Sequence, residues 1–134
     1  MSDIQKRVNA FAVTHYPKVD SDKLINAEFA LSNRACHANA VAAYRAGRGD
    51  KVWFAWAGGK NGVIHFINSK HGKFFDETWH DYDAKQSYRL IREIKPCEFD
   101  DIYEILEAAK VALISAVGTR WERYRVMKSP HGLI

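Results

Sequence analysis

Cysteine is scarce in this chain. Two residues, Cys36 and Cys97, are all that occur in 134 positions, far apart and in no C-x-x-C spacing. That excludes the disulfide framework of small secreted domains and points to a reducing compartment. No H-x-x-x-H pair is present either, so the usual zinc spacings are missing. The N-terminus lacks an apolar h-region and no hydrophobic run reaches membrane-spanning length, which leads to the expectation of a soluble, cytoplasmic chain with no membrane partner. Internal repeats and low-complexity linkers are absent, so a single domain over residues 1–134 is expected. Neither charge is in large excess. A net charge of +4 permits an acidic partner without requiring one.

What is present is enough for a core. With 47% apolar and 13% aromatic residues, the chain has the composition of a folded domain that needs no staples. Ser2-Asp3-Ile4-Gln5 is a capping box, and Ile4, Val8, Phe11 and Ala12 follow at helical spacing, predicting a helix to about His15 that Pro17 stops. Asp20, Ser21 and Asp22 can cap a second short helix carrying Leu24, Ile25 and Phe29. From Cys36 to Ala46 an alanine-rich helix ends at Gly47, with Cys36, Ala40 and Ala43 on one narrow face suited to close packing on a sheet. Strands are expected at 51–57 and 88–94, and a long amphipathic helix runs from the region of Pro96 to Gly118. Residues 119–134 form a basic, aromatic tail. The expected class is α+β: N-terminal helices, the Cys36 helix packed on a small antiparallel β-sheet, then a long C-terminal helix.

Between them lies the stretch that carries chemistry. Val63 to Trp79 has two runs rich in Val, Ile, Phe and Trp flanking Ser69-Lys70-His71-Gly72, the pattern of a β-hairpin. A turn centred between Lys70 and His71 places His65 opposite Asp76, their side chains on one face. An imidazole beside a carboxylate is the base-and-orienter half of a nucleophilic triad. Cys36 supplies the nucleophile: a thiol at a helix N-terminus next to an imidazole becomes a thiolate, and the backbone N–H there can donate to an oxyanion. His65 would take and return the proton, and Asp76 would hold the ring in the useful tautomer.

Cys36 at the head of an Ala-rich helix, His65-Phe66 on a strand, Gly72 in the turn and Asp76-Glu77-Thr78 after it resemble the transglutaminase-like branch of the papain-like cysteine hydrolases and acyltransferases. The likeness covers roughly residues 33–79; Arg34 and Phe66 stand where that family more often has Gly and Trp. The resemblance implies acyl chemistry on an amide through a thioester: peptide or isopeptide hydrolysis, glutamine deamidation, or acyl transfer to an amine. It implies a protein or peptide substrate and no cofactor.

Further roles come from position along the chain. Asn33 and Asn39 lie within one helical turn of Cys36 and are candidates for polarising a substrate carbonyl, with an N-cap or loop role as the plain reading of Asn33. Trp53, Trp56 and Trp79 are candidates for the walls of a cleft, against an ordinary core role. His37 should point off the helix in another direction, and Cys97 reads as structural. Two other functions compete with the triad. Cys36, His37, His65, His71 and His80 include zinc-binding residue types, and Arg120, Trp121, Arg123, Tyr124 and Arg125 suit phosphates and stacked bases. An inactive fold kept as a binding module combines the second with the resemblance.

Overall fold

In the computed structural model, residues 1–22, 36–58, 62–78 and 87–128 are described. Helix α1 (Asp3–His15) starts at Ser2, whose hydroxyl accepts from the Gln5 N–H while the Gln5 side chain accepts from the Ser2 N–H, the capping box anticipated from sequence. Strand β1 (Lys18–Asp22) follows directly. The expectation that Asp20, Ser21 and Asp22 cap a helix is therefore corrected. Val19 is the one apolar residue of this strand, so its composition carries no strand signal; its pairing comes from the backbone, which bonds to two neighbours. The helix expected beyond Asp22 lies outside the described residues.

Helix α2 (Cys36–Arg45), strands β2 (Lys51–Ala57), β3 (Val63–Lys70), β4 (Lys73–Phe75) and β5 (Ser87–Ile94), a 3₁₀ segment (Pro96–Asp101), and helices α3 (Ile102–Val117) and α4 (Arg120–Lys128) complete the order. The mixed helix-and-sheet class and the long helix near the C-terminus are as expected. The sheet is not an open antiparallel layer. Its strands close into a small barrel in the order β1-β4-β3-β2-β5, with β1 parallel to β4 and antiparallel to β5. Among the described residues, no helix is long and apolar enough to cross a membrane.

Alternation along the strands separates two apolar clusters. Val52, Phe54 and Trp56 of β2 and Ile64 and Phe66 of β3 face outward and pack with Ile4, Val8, Ala40, Leu113, Ile114 and Val126 of the helices. Ala55, Ala57, Ile67, Tyr88 and Leu90 face inward, with Val19, Val63 and Phe74 against them. Strand β5 serves both faces through a bulge. Ala55 pairs with Leu90 but Phe54 with Arg92, so one extra residue resets the alternation and turns Ile94 outward although Leu90 points in. Helix α2 lies close on β3 through Ala40 and Ala43, and the Asn68 side chain fastens it by donating to the Ala40 carbonyl at 2.9 Å.

The β3–β4 turn is two residues long. His71 and Gly72 sit at φ 51° and 78°, the pair of positive values that a tight hairpin turn of the I′ kind requires. Pairing is Asn68 with Phe75, Ser69 with Phe74 and Lys70 with Lys73. This corrects the expected register by two residues. The turn is centred one position later than anticipated because Gly72 is needed inside it. A two-residue slip keeps every side chain on its face, whereas a one-residue slip would have reversed them all.

Residues 120–128 of the basic tail are helical. The sequence carried the signal: the Thr119 hydroxyl accepts from the Glu122 N–H (3.2 Å) and the Glu122 carboxylate from the Thr119 N–H (2.7 Å), a second capping box. Glu122 also pairs with Arg7, which donates in addition to the Val117 carbonyl at 3.2 Å and so joins α1 to the α3–α4 junction.

Candidate active site

Three segments meet at His65. Strand β3 turns this residue toward the barrel interior by its alternation with Ile64 and Phe66, and leaves it 2% exposed. Asp76 follows β4 and is 3% exposed. His65 Nε2 lies 2.9 Å from Asp76 Oδ2. The Cys36 side chain also hydrogen-bonds the imidazole. Cys36 is half-buried and is the first described residue of α2. The structure therefore brings Cys36, His65 and Asp76 together. His65 stands diagonal to Asp76 rather than directly opposite it, as the corrected register demands.

Asp76 is held from several sides. Its Oδ1 accepts from the Thr78 N–H at 2.9 Å, a local turn that Asp forms readily two residues upstream of a donor. Its Oδ2 accepts from the Tyr88 phenol as well as facing His65. The Asn39 side chain donates to the Thr78 hydroxyl at 2.9 Å and ties this segment to α2. Arg48 Nε donates to the buried Glu77 carboxylate at 2.8 Å and fixes the same segment to the end of that helix. Each carboxylate is thus matched by donors, the condition for keeping charge inside a fold.

These contacts set the protonation state. Burial alone pulls the His65 pKa down. Hydrogen bonds to Asp76 and Cys36 and the charges on both outweigh it and raise the pKa to about 9, so the imidazolium is the prevailing form at neutral pH. For Tyr88, burial, the Asp76 charge and the bond to Asp76 push the phenol's pKa well above its ordinary value, against a smaller opposite effect of Ser21. Tyr88 is a neutral donor throughout the physiological range. His37 is shifted down by burial; its ring lies 4.5 Å from that of Tyr103 and edge-on to Phe66, on the outward side.

The other anticipated residues divide. Asn33 and Trp79 lie outside the described residues, as does His80. Asn39 is buried on α2 and bound to Thr78, so its amide orients the Asp76 segment. Trp53 faces into the barrel, donates to Ser69 at 3.0 Å and packs on Phe74. Trp56 is fully buried in the outer core and donates to Asn9 at 3.0 Å. Among the described residues, no three His, Cys, Asp or Glu side chains are arranged to hold a metal ion. Tyr88, Ser21 and the Arg48–Glu77 pair were not foreseen. A tyrosine in an alternating strand reads as core, and nothing local marks the carboxylate that its hydroxyl will meet.

Compared with family models, with curated proteins and with solved structures, the chain matches none.

Proposed function

We propose that this protein is a cysteine-dependent hydrolase or acyltransferase, acting on an amide of a protein or peptide through a thioester on Cys36. The observation that carries the reading is the position of His65, joined to Asp76 through Nε2 and hydrogen-bonded to the Cys36 side chain as well. Thiolate attack on the amide carbon forms the C–S bond, with the developing oxyanion facing the N-terminal N–H groups of α2. His65 then delivers its proton to the departing amine as the C–N bond breaks. In the second half, water or an amine gives a proton to His65 and attacks the thioester carbon, releasing Cys36. Asp76 stabilises the cationic ring in both halves and does not itself become protonated. The same arrangement supports placing the domain in the transglutaminase-like branch of the papain-like fold, with the nucleophile helix on a small barrel.

The test is the pH dependence of alkylation by iodoacetamide. Cys97 is exposed and Cys36 only half-buried, so accessibility alone predicts that Cys97 reacts faster. A thiolate–imidazolium pair predicts the reverse below the ordinary thiol pKa of about 8.5, with Cys36 leading by at least about tenfold near pH 6.5. His65→Ala should remove that lead, and Cys36→Ala should abolish turnover while the protein stays folded. A Cys36 slower than Cys97 at every pH would sink the proposal.

An inactive binding module is the second reading. It is favoured by Trp121, Tyr124 and Met127, which α4 leaves exposed beside Arg120, Arg125 and Lys128. An unreactive Cys36 together with salt-sensitive association to an acidic partner would move the function there.

A further inference from the structure

The inner wall of the barrel carries more polar groups than a Cys–His–Asp triad uses. Ser21, His65, Asp76 and Tyr88 are all buried, and they come from three strands and the segment after β4. They are connected: Tyr88 donates to the Asp76 oxygen that faces His65, and the Ser21 side chain hydrogen-bonds Tyr88. The rings of Tyr88 and His65 lie nearly parallel, 11° apart with centroids 6.2 Å from each other, so the phenol and the imidazole approach the carboxylate side by side. Buried polar groups cost stability unless they are satisfied, and a purely structural barrel would have filled these positions with the Ala, Ile and Leu found around them.

We propose that Tyr88, backed by Ser21, is a positioning residue that divides the charge of Asp76 and so sets how tightly the catalytic imidazole holds its proton. This rests on the reading of Cys36, His65 and Asp76 given above. The argument is one of competition for a single oxygen. Oδ1 of Asp76 is already engaged by the Thr78 N–H, which keeps the carboxylate oriented whether or not Tyr88 is present. Oδ2 must serve both the phenol and the imidazole. Each hydrogen bond that the phenol donates withdraws negative charge from the side that stabilises imidazolium. A less tightly held proton is more easily given to the departing amine, because proton transfer is most efficient when the acid's pKa lies near the working pH. Ser21 donates to the phenol oxygen and thereby makes its O–H a stronger donor, in the cooperative sense expected of hydrogen-bond chains.

The titratable groups facing His65 among the described residues are Asp76, Cys36 on α2 and Tyr88 on β5, so the effect of the phenol can be read with few competing terms. The experiment is an NMR titration of the His65 ring in the parent protein, in Tyr88→Phe and in Ser21→Ala, alongside the pH profile of Cys36 alkylation. Removing the phenol should raise the His65 pKa by about one unit, the size expected for loss of a hydrogen bond to a charged group. The upper edge of the alkylation profile should follow it. Ser21→Ala should give a smaller rise in the same direction, and it provides the reading if Tyr88→Phe fails to fold. An unchanged or lowered His65 pKa in the folded variants would overturn the proposal. The two readings fail separately: an inert Cys36 in the parent defeats the acyl-transfer function, while the ring titration still decides the role of Tyr88.

Discussion

The two faces of the barrel wall differ more than any two elements of the chain, although they are made by alternate residues of the same strands. On the outside, Phe54, Trp56, Ile64 and Phe66 are buried against four helices and present only apolar atoms to them, apart from the indole N–H of Trp56, which Asn9 accepts. On the inside, Ala55, Ile67 and Leu90 share the space with His65, Asp76, Tyr88 and Ser21. In β3 a single step along the backbone separates Ile64 and Phe66, which hold the helices, from His65, which holds a proton. Large apolar side chains are concentrated on one face and buried titratable groups on the other, with Cys36 packed against the outer cluster. The outer layer can thus keep the wall rigid while the inner groups carry a perturbed titration.

The largest effect that would sharpen this contrast is Phe54→Ala. Phe54 is fully buried and its ring lies 4.6 Å from that of Phe66, so truncation should cost about 3–5 kcal/mol in chemical denaturation. The protein that remains folded should keep the alkylation profile of Cys36. A shifted profile would mean that the faces are not separable. On the inner face the next effect is one of pH. Since the His65 pKa is raised from 6.5 to about 9 in the folded state, its contribution is fully present below pH 6.5 and is lost as pH rises through 9. The linked loss is about 3 kcal/mol. Denaturation midpoints in urea should fall across that window, and His65→Gln should flatten the fall; an equally steep fall in His65→Gln would assign it to other groups. The smallest effect concerns Asn39, which reaches from the helical layer to Thr78. Asn39→Ala should destabilise by about 1–2 kcal/mol and slow Cys36 alkylation modestly, since a buried hydroxyl loses its donor and the Asp76 segment loosens. A variant with unchanged alkylation would confine Asn39 to stability.

Much of this molecule was legible in its sequence where the signal is local. The Ser2–Gln5 capping box, the glycine that ends α2, the strand from Lys51 to Ala57 and the run of β5 were all readable, because caps, apolar period and turn residues act over a few positions. Thr119 and Glu122 form a cap of the same kind at the start of α4. Strand β1 was not legible: Lys-Val-Asp-Ser-Asp has the composition of a loop, and it is a strand because two distant strands offer it hydrogen bonds. The hairpin lay between these cases. Its existence and its faces followed from alternation, but its register depended on which two residues accept positive φ, and that placed the turn at His71-Gly72.

By itself, the sequence determined which residues suit the proposed chemistry: a thiol at the start of a small-residue helix, an imidazole on a strand, a carboxylate beyond a glycine turn. Alternation also determined that the last two share a face. Only the tertiary structure decided that the sheet closes, and closure is what brings β1 and β5 around to the same interior. Tyr88 reaches Asp76, and Ser21 reaches Tyr88, for that reason and for no reason visible in their own neighbourhoods. Local pattern selects conformation within a few residues, whereas the partners of a buried charge are chosen by which strands a closed barrel sets side by side.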